Sequence, residues 1–135
     1  DDGDAKLIDF GIAKRYRDKN AKSLLCGTPM YMGPQQLRGD RPTPANDVWG
    51  LGATAIHLLT RELPYAENPF SPIQGSDAPF PLYSAPTYNK VAMCMKFRPF
   101  GNALLKSQEK YEPNRCSLAE IIETGEQYRA TYAKK

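Results

Sequence analysis

Apolar and polar positions divide this chain unevenly. The clearest apolar stretch is DVWGLGATAIHLLT at 47–60, whose apolar residues fall on every face of a helix. Asp47 is the expected N-cap, and the pattern predicts a buried central helix over 47–60. Gly50, Gly52, Ala53 and Ala55 on that helix would let neighbouring backbone approach closely. At the start, AKLID (5–9) predicts a short strand. The DDGD before it contains an Asp-Gly suited to a tight turn, so the strand is expected to be the second arm of a hairpin. Residues 11–27 are polar and basic without periodicity, which predicts a loop. GPQQLRG predicts one helical turn after Pro34. Prolines at 64, 69, 72, 79, 81 and 86 make 61–86 loop-like. Helices are then expected at 87–97 and 102–110, and a better-marked one from Ser117. There SLAE reads as a capping box, Ser117 reaching forward and Glu120 back, with Leu118, Ile121, Ile122 and Tyr132 on the buried side. The C-terminal helices together fall within 87–132, and no internal repeat is visible.

Composition narrows the class. With 135 residues, 41% hydrophobic and 24% charged, the chain fits one soluble globular domain with room for a core. A net charge of +3 is too small to argue for nucleic acid or an anionic membrane surface as partner. Cys26, Cys94 and Cys116 are widely spaced and form no C-x-x-C pair, so neither a zinc site nor a disulfide framework is expected. The start is acidic, without an apolar signal core. The longest mostly apolar run, VWGLGATAIHLL (48–59), has 12 residues, too few to span a bilayer. The expected compartment is the cytoplasm.

Four stretches carry a family resemblance. KLIDFGIAK (6–14), CGTPMYMGPQQL (26–37), DVWGLGATAIHLLTRELPY (47–65) and EPNRCSLAEII (112–122) resemble consecutive signatures of the eukaryotic-type protein kinase catalytic domain, in the family's order. A lone D-F-G would be weak; four signatures in order are specific. GTPMYM is closer to the serine/threonine branch than to the tyrosine branch. The resemblance implies a kinase-like α+β fold, of which residues 1–135 would be the mainly α-helical C-lobe with one strand or hairpin remnant. It also implies roles for particular residues. Asp9 would bind the Mg²⁺ that bridges the ATP phosphates, because a hard cation prefers carboxylate oxygen. Phe10 would pack beneath the site, and Gly11 would free the backbone to turn. Residues 9–35 would form the activation segment, Thr28 would support the acceptor-binding loop, and Asp47 would fix the catalytic loop. Ser23, in the basic loop, is the expected regulatory phosphate site. The implied partners are ATP and a protein substrate.

Two departures from the pattern stand out. Where the family has Ala-Pro-Glu, this chain has Gly33-Pro34-Gln35, and the glutamate's usual arginine partner matches Arg115. Gln35 can still accept one hydrogen bond, whereas a wholly unpaired buried guanidinium would cost on the order of 3–5 kcal/mol. The second departure is larger. The 135 residues contain no G-x-G-x-x-G, and the single histidine, His57, is followed by Leu58 rather than Arg-Asp. The phosphate-binding lysine, its glutamate partner and the catalytic-loop aspartate are not matched, and would belong to a segment N-terminal to Asp1. Two functions are therefore weighed: the C-terminal portion of a serine/threonine kinase, inactive by itself, and a non-catalytic kinase-like module that binds a partner.

Other features carry less. His57 lies in the apolar helix and is expected to be a packed core residue rather than a catalyst. The RGD at 38–40 sits in a kinase-like loop, where coincidence explains it. Thr43-Pro44 and Ser71-Pro72 match proline-directed phosphorylation sites, and the basic tail reads as a solvated helix end.

Overall fold

A computed structural model describes residues 5–15, 26–62, 98–109 and 111–132. Among them are four α-helices and two short 3-10 turns. The first 3-10 turn, Pro29–Tyr31, leads into α1, Pro34–Leu37, and then α2, Pro44–Thr60. Helix α3, Arg98–Ser107, is followed by the second 3-10 turn, Glu112–Asn114, and α4, Leu118–Tyr132. The helix expected at 87–97 lies outside the described residues.

Helix α2 organises the rest. It begins three residues earlier than expected, with Thr43 as N-cap and Pro44 in the first helical position. Proline there has its φ preset and gives up only an amide that no intrahelical acceptor would use, which is why Thr-Pro rather than Asp47 starts the helix. Asp47 sits inside the first turn instead. The far end closes on Arg61, whose φ of 59° is left-handed and whose N–H reaches the His57 carbonyl at 2.7 Å.

Two apolar clusters flank α2. In one, Val48 and Ile56 meet Ala103 and Leu104 of α3, Cys116, and Ile121 of α4. In the other, Trp49 packs with Met32 and Leu37. The α2–α3 approach is very close. A Cβ on Gly52 would lie 1.8 Å from Ser107 Oγ and 2.7 Å from Gln108 Nε2. Gln108 Nε2 uses that space to donate to the Trp49 carbonyl at 2.9 Å. Ser107 and Gln108 are fully buried, Ser107 Oγ donating to the Leu104 carbonyl at 2.6 Å and accepting from Gln108 Nε2 at 2.9 Å.

Several expectations are corrected. Helix α3 runs over 98–107 rather than 102–110, because Pro99 is accommodated in its first turn and Ser107 closes its last. Helix α2 is not buried all round: Leu51, Leu58 and Leu59 face solvent, since the described packing partners occupy only the Val48–Ile56 and Trp49 sides. On α4 only Ile121 is buried; Leu118 and Ile122 are exposed, because α3 covers a single edge of this helix. Ser117 caps α4 as expected, accepting the Glu120 N–H at 3.1 Å. The Glu120 carboxylate lies 3.6 Å from Lys106 of α3, and among the described residues no bond returns from it to the cap. Residues 5–10 form no strand: Asp9 has a left-handed φ of 61°, and a strand needs a ladder partner that the described residues do not supply.

Two glycines in one helix give opposite expectations. Gly52→Ala should destabilise by about 1–3 kcal/mol through overpacking against Ser107. Gly50→Ala, whose Cβ would meet nothing closer than the Tyr31 carbonyl at 3.7 Å, should stabilise by up to about 1 kcal/mol through helix propensity. Urea denaturation of the two variants checks both signs.

Candidate functional site

The Asp-Phe-Gly stretch forms an open turn. The Ala13 N–H donates to the Phe10 carbonyl at 3.0 Å, and the Gly11 N–H donates to Asp9 Oδ1 at 3.3 Å. Aspartate tolerates the left-handed backbone because its short side chain can bond locally in this way. All three residues are exposed, Phe10 at 69% of its surface. The turn closes on itself, and none of the described helices covers it. Among the described residues no three histidine, cysteine or acidic side chains form a metal cluster. The ion expected at Asp9 is of a different kind. One carboxylate oriented by a backbone amide suits Mg²⁺, which takes one or two protein carboxylates and draws its remaining ligands from phosphate and water.

The next part of the site is built on tight backbone. Gly27 has a φ of 127°, a conformation side chains rarely adopt. Thr28 caps the first 3-10 turn through its carbonyl, which accepts the Tyr31 N–H at 3.0 Å, and its side chain is exposed. This turn aims Tyr31 at α2, where its hydroxyl lies 2.6 Å from His57 Nδ1, with the rings tilted 31° and 6.0 Å apart. His57 is therefore half-buried and bonded across to this turn, not enclosed in the core as its helix position suggests.

The third part is an anchor around Arg115. Its guanidinium is buried and donates to the Glu109 carbonyl at 2.8 Å, to the Ala45 carbonyl at 3.0 Å and to the Gln35 side-chain oxygen. It also stacks 4.9 Å above the Trp49 ring. The expected Gln35–Arg115 pair is thus formed, and the helical body grips the start of α1. Gly33 completes the fit, since a Cβ there would come within 3.2 Å of the Trp49 ring.

Asp47 is exposed one turn into α2, where its charge complements the helix N-terminus. Ser23 lies outside the described residues. The arginine and aspartate of the RGD stretch bond each other, Arg38 Nη2 to Asp40 Oδ2 at 2.8 Å, over a turn at Gly39. No hydrogen bond among the described residues joins Asp9 to Thr28 or Asp47; the structure unites Gln35 with Arg115 and leaves the other expected residues apart.

Comparison with known proteins decides the family. The model of the protein kinase domain matches residues 1–124. The chain belongs to the protein kinase domain family. Its relatives include the G2-specific protein kinase nim-1 of Neurospora crassa, 31% identical over 105 residues, covering 73% of this chain and 12% of the relative. The G2-specific protein kinase nimA of Emericella nidulans is 33% identical over 104 residues, covering 73% of this chain and 15% of its own. A probable cAMP-dependent protein kinase catalytic subunit of Encephalitozoon cuniculi is 36% identical over 97 residues, 69% of this chain and 28% of that protein. This kinase-family chain therefore spans between 12% and 28% of the length of these relatives. The mainly helical arrangement of its described residues fits the helical lobe of that domain.

The Tyr31–His57 contact was not legible beforehand. The two residues are 26 positions apart, and nothing local to either marks the pairing. The acceptors at Ala45 and Glu109 are backbone carbonyls, which carry no residue signature at all.

The anchor makes a clear stability prediction. Gln35→Glu should strengthen the bond by making both sides charged, a gain of about 1–2 kcal/mol. Arg115→Met should cost about 3 kcal/mol, because it strips the donor from two carbonyls and the charge from the Trp49 face. Urea midpoints of the two variants read these directions. A separate outcome concerns thiols: burial, with Glu120 nearby, raises the Cys116 thiol above its ordinary range. Alkylation followed by mass spectrometry should label exposed Cys26 in the folded protein and Cys116 only on unfolding.

Proposed function

We propose that this chain is the C-terminal portion of a serine/threonine protein kinase catalytic domain, one that transfers the ATP γ-phosphate to serine or threonine of a protein substrate. The observation that carries the reading is the Arg115 anchor. It fastens the end of the segment that starts at Asp9 to the helical body, as a loop that must present a substrate hydroxyl at a fixed place requires. The names of the relatives, which are protein kinases, agree with it.

In this reading Asp9 holds Mg²⁺ against the nucleotide, and the Gly11 amide orients its carboxylate. Mg²⁺, when bound, neutralises the crowded charge of the phosphates. Phe10 closes beneath the nucleotide in the active arrangement, and Thr28 supports the acceptor loop. Residues 9–35 are the activation segment and Ser23 its regulatory phosphate site. Asp47 steadies the catalytic loop supplied by a preceding segment, and the protein acts in the cytoplasm. Among the described residues no helix is long and apolar enough to cross a membrane. A second reading, a non-catalytic kinase-like module, draws on the neutral Gln35 in the anchor and the solvent-facing Phe10.

Phosphoryl transfer needs several positioned groups at once, and these 135 residues carry neither a glycine-rich loop nor a His-Arg-Asp. Incubated alone with ATP, Mg²⁺ and serine/threonine peptides, they should show no turnover; measurable transfer would overturn the proposal. With the upstream coding segment restored, transfer should appear, and Asp9→Asn should lower it at least about a hundredfold. A restored protein that folds but transfers nothing would decide for the non-catalytic module.

A further inference from the structure

The threonine that starts α2 does not behave as an ordinary cap. Its backbone is extended, with φ −130° and ψ 159°, but its hydroxyl makes no bond to the amides of its own helix. Instead Thr43 Oγ1 donates to Glu112 Oε1 at 2.9 Å, crossing to the second 3-10 turn 69 positions away. The proton on Oγ1 is what makes this contact attractive: without it, the same two oxygens are acceptors facing each other.

Around Thr43 the chain suits a modifying enzyme. Residues 38–41 and Pro44 are exposed, Thr43 is half-buried, and residues 40–43 belong to no helix. Pro44 directly follows the hydroxyl-bearing residue, so the dipeptide identified in the sequence sits at the chain's entry to α2. The Thr43 acceptor Glu112 in turn begins the three residues that lead to Arg115, whose N–H bonds the Glu112 carbonyl at 3.0 Å. Arg115 also holds the Ala45 carbonyl, two residues after Thr43.

We propose that Thr43 is the acceptor of a proline-directed protein kinase, and that its phosphorylation turns the Thr43–Glu112 tie into a repulsion that loosens the Arg115 anchor. In the transfer, Thr43 Oγ1 forms a bond to the γ-phosphorus of a nucleoside triphosphate as the bond to the β-phosphate oxygen breaks. The diphosphate leaves, and the hydroxyl proton passes to the modifying enzyme's base. The product carries close to two negative charges beside the Glu112 carboxylate and no proton to share with it. The added charge therefore pushes on the turn that delivers Arg115 to Gln35. Such a mark would act on the grip that holds the end of the expected activation segment, from outside that segment.

The test uses the purified protein, ATP with Mg²⁺, and a purified proline-directed kinase, with phosphate mapped by mass spectrometry. Phosphate should be found at position 43 in the wild type and in Thr43→Ser, and be lost in Pro44→Ala, where alanine still suits the first helical position. An unmodified Thr43 in the wild type, or modification that persists in Pro44→Ala, overturns the proposal. The second arm is thermal melting before and after modification. Phosphorylation should lower Tm by about 2–5 °C in the wild type and by less in Glu112→Gln, which removes the opposing charge. Equal shifts in the two proteins, or a rise in the wild type, overturn the coupling to Glu112.

Discussion

Everything in this arrangement returns to one buried guanidinium. Arg115 is long enough to touch three parts of the chain at once: the stretch just after α3 through the Glu109 carbonyl, the start of α2 through Ala45, and α1 through Gln35. Its planar fork allows these bonds to diverge in fixed directions, and the Trp49 ring covers one face. A lysine could not do this, since its ammonium is a point charge with no plane to stack. The charge is dispersed over carbonyl dipoles and an aromatic face, which compensates for its removal from water. A site built this way tolerates a neutral residue at position 35, because the amide oxygen at that position is one acceptor among several. This explains how a kinase-family chain can depart from the family's usual residue there and still form the contact.

The seam between α2 and α3 sets the geometry in which that guanidinium sits. Gly52 removes the one side chain that would separate the helices, and Ser107 and Gln108 fill the gap with polar atoms that satisfy each other and a backbone carbonyl. Polar groups this deep are tolerable only when paired, and here Gln108, just past the end of α3, is paired with the Trp49 carbonyl. Trp49 is thereby held from its backbone by α3 and from its ring by Arg115. The close approach and the anchor are two views of one contact.

What could be read in advance follows from the range of the interactions. Short-range devices were visible: Pro34 opening α1, Ser117 capping α4, and the apolar run of α2 are all written within a turn or two of sequence. The Gln35–Arg115 pair is 80 positions apart and was legible through the family pattern alone. Asp47 and Thr43 are both good caps for α2, and only the proline between them settles which one starts it. The strand over 5–9 failed for a different reason. Its residues have the right composition, but a strand is a property of a pair, and Asp9 turns the backbone away. The exposed Leu58 and Ile122 show the same limit, since hydrophobicity states what a residue would bury, not whether a neighbour arrives to bury it.

The two apolar clusters lie on different sides of α2 and share no buried side chain, yet each includes residues of that one helix. Unwinding α2 would therefore dissolve both clusters at once. Helix α2 and the residues packed on it in the two clusters should lose their order together, in a single sharp transition, and amide hydrogens along 48–56 should exchange last and at nearly one rate. The helix is the unit of cooperativity, and the packing on either side inherits its all-or-none character from it.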